Sequence, residues 1–125
     1  SNFTYDPFTL EGNFAFAAAI QEMLLQSHNG LIRIFPAVPN AWKEISFTNL
    51  RTEGAFLVSA SKKEGNIQSF SIIAPEGGKA RIRLPFPTYV IRNSAGMKQL
   101  NTAKQAEILL QFEKGGSVQI ENGYE

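Results

Sequence analysis

The sequence predicts a mainly β fold, an antiparallel β-sandwich of jelly-roll or Greek-key type preceded by one N-terminal α-helix. Three observations predict it. The composition and apolar pattern favour a helix only before residue 30. Beyond that point, hydrophobic residues alternate with polar ones at the period of a half-buried strand. Turns containing glycine separate these short runs, as they do in antiparallel sandwiches.

The helix is predicted over residues 13–28. Ala, Leu, Met, Gln and Glu dominate this stretch, which contains no Pro and no internal Gly. Asn13 is the predicted N-cap, and Asn29 with Gly30 forms a left-handed stop. The polar stripe of the helix is narrow, so a lone sandwich would not cover its apolar surface. We therefore expect self-association of the chain through this apolar helix, or packing partners that belong to a longer protein.

The predicted strands share a clean alternation of apolar and polar residues. They occupy the runs 31–35, 45–48, 56–61, 69–72, 80–84, 108–113 and 118–120. Residues 36–44 hold two prolines and the only Trp, Trp42, and are predicted to form an ordered connection. The expected organisation is therefore a helical segment over 1–30, a Pro-rich connection with a short strand over 31–44, and a sandwich over 45–125.

Composition excludes several classes of function. The chain is 43% hydrophobic and 18% charged, with a formal net charge of +1. No long run of one sign occurs, which argues against nucleic-acid binding. The sequence has no Cys and a single His, so zinc, iron and thiol chemistry are not expected. The longest strongly apolar stretch, 14–20, is too short to span a bilayer. No phosphate loop, nucleophile elbow or calcium loop is present, and no cofactor is expected.

One candidate site remains, just ahead of the helix. Glu11 and Asn13 place a carboxylate and an amide at a loop–helix junction. Glycosidases place carboxylates at such junctions, where the helix N-terminus favours an ionised acid. The alternative is that both residues only cap the helix, and their spacing alone favours capping.

The residues around this site resemble a known family. The string Glu11-Gly12-Asn13-Phe14, with Phe8 and Leu10 before it, looks like the end of the catalytic barrel in glycoside hydrolase family 95. The segments 18–30, 32–42 and 50–56 continue the resemblance. That family contains inverting α-L-fucosidases and related α-L-galactosidases. The resemblance implies that residues 1–30 close an (α/α)6 barrel. It also implies an upstream catalytic barrel as partner, an oligosaccharide substrate, and a secreted or periplasmic parent enzyme.

The resemblance also implies site residues. The family motif is an Asp followed by Gly-Asn-Phe-Gly, and that Asp activates the attacking water. The matching position here is Glu11, and Ala15 replaces the last Gly of the motif. Glu is longer by one methylene, which moves the carboxylate by about 1 Å, and such a displacement costs about 100-fold in rate. Asn13 is the implied substrate contact. The general acid lies upstream of this chain.

A rival interpretation from another class is a non-catalytic carbohydrate-binding or scaffolding module. A sugar-binding sandwich usually exposes several aromatic residues on one sheet face. Here Trp42 and the three Tyr residues fall in loops or at strand ends. The absence of an aromatic platform in the pattern favours the enzyme-fragment interpretation.

Three further positions have alternatives. His28 is expected at the helix C-terminus, in a structural role rather than as a sugar ligand. Trp42 is expected to fill an interdomain seam, with stacking on a sugar as the alternative. Arg81 and Arg83 are expected on a solvated face, with a glycan or protein contact as the alternative.

Overall fold

The computed structural model describes residues 2–5, 8–9, 21–86, 88–93, 98–102 and 107–123, with backbone pairing alone for 2–5, 8–9 and 98–102. Residues 21–24 are α-helical, and nearly all the other regular structure described is β. The described strands, in chain order, are β1 (Asn2–Tyr5), β2 (Phe8–Thr9), β3 (Leu25–Gln26), β4 (Leu31–Ile34), β5 (Ile45–Arg51), β6 (Leu57–Lys63), β7 (Asn66–Ala74), β8 (Gly78–Arg83), β9 (Thr88–Asn93), β10 (Lys98–Thr102), β11 (Glu107–Phe112) and β12 (Gly116–Asn122).

These strands form two sheets, and the fold is the predicted β-sandwich. The large sheet has the order β10-β9-β12-β7-β6-β5-β1-β2, and the small sheet has the order β11-β8-β4-β3. The pairings are antiparallel except for β4 with β8, which run parallel. Strand β12 lies between β7 and β9, so the last strand fills a gap between two earlier ones. The chain crosses between the sheets repeatedly, as the predicted class requires.

The alternation in the sequence decides which side chains enter the core. Along β7 the burial alternates, with Phe70, Ile72 and Ala74 inside and the residues between them half-buried. Adjacent side chains on a strand point to opposite faces of its sheet, so one apolar set per strand meets the facing sheet. The largest side chains that are nearly inaccessible to solvent are Phe47, Phe70, Leu24, Ile72, Ile82, Ile120 and Val58.

The predicted C-terminal boundary of the helix, which lies within the described residues, is wrong. The prediction runs to residue 28, whereas the helix ends at Leu24 and residues 25–26 form strand β3. Leu25 is 5% exposed and pairs with Ile34 of β4, so burial and strand pairing override local helix propensity. Asn29 and Gly30 do adopt left-handed conformations, but they belong to a 3-10 turn over His28–Gly30. The part of the prediction that covers 13–20 lies outside the described residues.

Strands β1 and β2 were not predicted, and they join residues 2–5 and 8–9 to the large sheet of the sandwich rather than to the helical segment expected over 1–30. Strand β1 pairs with β5, with Phe3 opposite Phe47, and β2 extends the same edge of the large sheet. Strand β9 was also missed, because Tyr89, Val90 and Ile91 form a continuous apolar run without alternation. No helix within the described ranges is both long and apolar enough to cross a membrane.

Candidate functional site

Glu11 and Asn13, the residues predicted to carry chemistry, lie outside the described residues. The structure does describe the nearby segment 21–28 and its attachment to the sandwich. We call these residues, with the sandwich residues that they contact, the junction. At the junction, the small sheet and the residues that follow β4 hold the end of the helix at Leu24.

Backbone hydrogen bonds fix the junction to the sandwich. The Phe35 amide donates to the Leu24 carbonyl at 2.6 Å, and the Ala37 amide donates to the Met23 carbonyl at 3.3 Å. These carbonyls belong to the last turn of the helix, where intrahelical partners are missing. The sandwich therefore supplies the donors that the end of the helix needs.

Side-chain burial holds the same segment from inside. Leu24 is 1% exposed and Leu25 is 5% exposed, and both belong to the main hydrophobic core. Met23 packs against that core from its edge. Burying a leucine stabilises a fold by about 1.5–3 kcal/mol relative to leaving it in water. The end of the helix is therefore part of the sandwich core rather than an appendage to it.

Beside the junction lies an open polar groove of about 330 Å³. It is lined by Gln21, Glu22, Leu25, Gln26, Ser27, His28, Arg51 and Glu53. The Ser27 hydroxyl accepts a hydrogen bond from the Glu53 amide at 3.0 Å, which ties the segment to the turn after β5. The groove is thus a seam between the junction and the large sheet.

His28 does not lie at a helix C-terminus, contrary to the prediction, because the helix ends at Leu24. It lies in the 3-10 turn, and its Nε2 is 3.5 Å from a carboxylate oxygen of Glu22. Both side chains are more than half exposed, at 60% and 57%. A contact between two side chains this exposed contributes little to stability. In the described ranges no three His, Cys, Asp or Glu side chains come together as metal ligands would.

Trp42 is half-buried and packs on the hydrophobic core of its own sandwich. Its amide donates to the Pro39 carbonyl at 3.0 Å, which closes a turn within the predicted connection. Much of the indole is therefore used within the sandwich. A role for its exposed edge in an interdomain seam or on a sugar stays a prediction.

Arg81 and Arg83 lie on a solvated face, as predicted, while Ala80 and Ile82 between them are buried. Arg83 donates from Nη2 to a Glu107 carboxylate oxygen on β11 at 2.9 Å. Lys79 of β8 and Arg33 of β4 are exposed as well. We did not single out these two cations from the sequence, although Lys79 precedes the two arginines on the same strand.

The outward side of the large sheet has a different chemistry. It contains a shallow groove of about 320 Å³. The lining residues are Ser46, Phe47, Thr48, Ser59, Ala60, Ser61, Ser69, Phe70, Ser71 and Gln119. The serines are cross-strand neighbours, with Ser46 opposite Ser61 and Ser59 opposite Ser71. This hydroxyl-lined groove offers neither a charged group nor an exposed aromatic ring for catalysis or sugar stacking.

Comparison with known proteins identifies the family to which the chain belongs. The model of the glycoside hydrolase family 95 C-terminal domain matches residues 26–120. Alpha-L-fucosidase 2 from Arabidopsis thaliana is 35% identical over 79 residues, which are 62% of this chain and 9% of the relative. The chain thus matches only a small part of a much longer relative. Because the family model matches well over half of the residues, the chain belongs to the glycoside hydrolase family 95 C-terminal domain family.

Proposed function

We propose that this chain is the C-terminal portion of a larger exo-acting glycosidase of the α-L-fucosidase or α-L-galactosidase type, and that the chain itself has a structural role. The observation that carries the proposal is the family match over residues 26–120. The likeness to a fucosidase supports the substrate class. We further propose an upstream catalytic barrel, to which the helix that ends at Leu24 contributes, and a secreted or periplasmic location for the parent.

The proposed reaction is single-displacement hydrolysis with inversion at the anomeric carbon. Glu11 removes a proton from a water molecule, which attacks the anomeric carbon from the face opposite the leaving group. An acid in the upstream barrel protonates the glycosidic oxygen as the bond breaks. Asn13 contacts the sugar beside Glu11. One carboxylate ahead of one helix is not a complete site, so we expect no hydrolysis by the 125-residue chain alone.

The geometry of the junction supports the structural role. Leu24 is buried in the sandwich core, and its carbonyl accepts the Phe35 amide. A helix held at its C-terminal end cannot slide or rotate freely. The position of a catalytic group at its other end is therefore defined more narrowly. Positioning on the scale of about 1 Å changes rates by about 100-fold. We therefore assign the sandwich the role of a fixed support for the helix predicted to begin after Glu11.

Glu11→Gln in the full-length parent tests the proposed mechanism. A carboxamide keeps the shape of the side chain but cannot act as a base, and loss of general-base catalysis costs about 10²- to 10⁴-fold in rate. We expect kcat on 4-nitrophenyl α-L-fucoside and α-L-galactoside to fall by that factor, with little change in Tm. Proton NMR of the first-formed sugar should show the inverted anomer.

Glu22→Gln is the matched control, because Glu22 is an exposed carboxylate on the same segment. It should leave kcat within a few-fold of the wild type. Activity of the Glu11→Gln parent within a few-fold of the wild type would remove Glu11 from the mechanism. That result, with a stability loss of at most about 1 kcal/mol, would leave helix capping as its role.

A further inference from the structure

The outward side of the small sheet carries a concentration of positive charge. Arg33, Lys79, Arg81 and Arg83 are exposed there, and we call these four residues the basic face. Ile32 of β4 pairs with Ile82 of β8, and both are buried, so Arg33 and Arg83 follow them on the opposite side of the sheet. Residues two apart on one strand are about 6.7 Å apart, and neighbouring strands are about 4.8 Å apart. The cations therefore form an array rather than isolated charges.

Little acidic charge balances this array. Glu107 bonds Arg83, and the described salt bridges include none from Arg33, Lys79 or Arg81 to another described residue. The whole chain has a net charge of only +1, so the basic face concentrates charge that is compensated elsewhere on the molecule. An uncompensated cationic surface attracts a polyanion before contact and pairs with it afterwards.

The basic face also borders an apolar position. Leu109 of β11 is directly opposite Arg81 of β8, and its exposure is 64%. It is the only large hydrophobic residue of the described chain that is so exposed. An arginine beside a leucine suits a ligand in which each unit carries both an anionic group and an apolar surface. A uronic acid has both, a carboxylate and a ring face of C–H groups.

We propose that the basic face binds acidic polysaccharides whose units carry carboxylates. Three of its four cations are arginines, whose planar guanidinium groups match planar carboxylates through paired hydrogen bonds. The choice of a glycan as the polyanion rests on the proposed function, because a glycosidase that binds a polysaccharide stays near its substrates. A membrane would require more apolar insertion than Leu109 supplies. Single-stranded nucleic acid would require aromatic side chains for stacking, and the described part of this face has none.

Binding of polygalacturonate fragments to the 125-residue chain tests the proposal, with calorimetry as the readout and neutral dextran of matched length as the reference. We expect polygalacturonate to bind and dextran not to bind. Raising the ionic strength from about 0.1 M to about 1 M shortens the Debye length from about 10 Å to about 3 Å and should abolish binding. Arg81→Gln should weaken binding by about tenfold through loss of a charged hydrogen bond.

Lys79→Gln and Lys63→Gln form a matched pair of exposed lysines, one on the basic face and one on β6 of the large sheet. The first should weaken binding and the second should not. Equal effects of the two, unchanged affinity for Arg81→Gln, or binding of dextran as tight as that of polygalacturonate would each overturn the proposal. Tighter binding to a DNA oligonucleotide, dextran sulfate or phosphatidylserine vesicles would overturn it as well. Because no hydrolysis is measured, failure here leaves the proposed glycosidase mechanism standing.

Discussion

The two sheets of the sandwich share one core but are assembled differently. The centre of the large sheet consists of hairpins between consecutive strands, β5 with β6 and β6 with β7. The small sheet brings together distant segments, because β4 at Leu31–Ile34 runs parallel to β8 at Gly78–Arg83. Two antiparallel strands can be joined by a short turn, whereas two parallel strands need a long crossover connection between them. The small sheet thus incorporates the residues that directly follow the helix, Leu25–Gln26, whereas strands β1 and β2 join the edge of the large sheet.

The outward sides of the two sheets differ as much as their assembly. The large sheet presents serine hydroxyls over its central strands, and the small sheet presents the basic face. Both surfaces follow from the same alternation of apolar and polar residues along the strands. The inward residues must be apolar to pack in the core, whereas the outward residues are free to vary. The comparison teaches that the small sheet is where both the attachment of the helix end and ligand binding are to be sought.

The largest expected effect concerns the junction. Leu24→Ala should lower the free energy of unfolding by about 2–5 kcal/mol, because it removes a buried leucine from the shared core. Urea denaturation followed by circular dichroism measures the change. Leu109→Ala is the control, since an exposed leucine should change stability by no more than about 0.5 kcal/mol. Equal, small effects of the two substitutions would show that the segment before β4 lies outside the cooperative fold.

A smaller effect is expected where the chain crosses between the sheets. The turn from β7 to β8 and the turn from β11 to β12 meet at Ala74, whose carbonyl accepts the amides of Gly77 at 3.0 Å and Gly115 at 2.8 Å. Gly77 has a φ of +70°, and a Cβ there would lie 2.9 Å from the Lys114 backbone nitrogen. Neither the conformation nor the space admits a side chain.

Gly77→Ala should therefore destabilise the fold by about 2 kcal/mol or more. Gly30→Ala is the matched comparison, because Gly30 has a φ of +74° but a Cβ at that residue would meet no atom within 4 Å. Its cost should be about 1 kcal/mol, from the left-handed conformation alone. Thermal unfolding of both variants measures the difference. A Gly30 variant that loses as much stability as the Gly77 variant would show that the contact between the two turns contributes nothing.

Much of the sandwich could be predicted from the sequence, and the exceptions have physical causes. Strands such as β7 and β8 are half-buried, so their alternation marks them directly. Strand β9 combines buried Thr88 and Tyr89 with half-buried Val90 and Ile91, which leaves no clean period. Strand β3 lies in a run of helix-forming residues, and only its tertiary pairing with β4 makes it a strand.

The smallest expected effect is a pH dependence from Tyr89 of the large sheet. Burial raises the pKa of Tyr89 above its ordinary value of 10.0. The unfolded chain therefore loses the phenolic proton first, and stability should fall as pH rises above 10.0 through the folded pKa. In Tyr89→Phe the contribution of this residue to the fall should disappear. Chemical denaturation of both proteins at a series of alkaline pH values measures it, and parallel stability curves would contradict the assignment.

The candidate site was less predictable than the fold. The alternation placed Arg81 and Arg83 on a solvated face, but one strand could not show that Arg33 of β4 lies on the same side. That requires the parallel register of β4 with β8, which joins segments far apart in the sequence. The prediction for Glu11 has a different basis, a family motif, and the geometry of the described residues does not bear on it.

The central claim is that the end of the N-terminal helix and the sandwich form one folding unit, and amide hydrogen exchange tests it most directly. The Phe35 amide reports the junction, because it donates to the Leu24 carbonyl at 2.6 Å. The Ile72 amide reports the large sheet, at a residue that is 0% exposed. If the two regions open together, both amides exchange with the same free energy of opening, close to that of global unfolding. Fast exchange at Phe35 while Ile72 stays protected would contradict the claim and make the junction a separate, weakly attached segment.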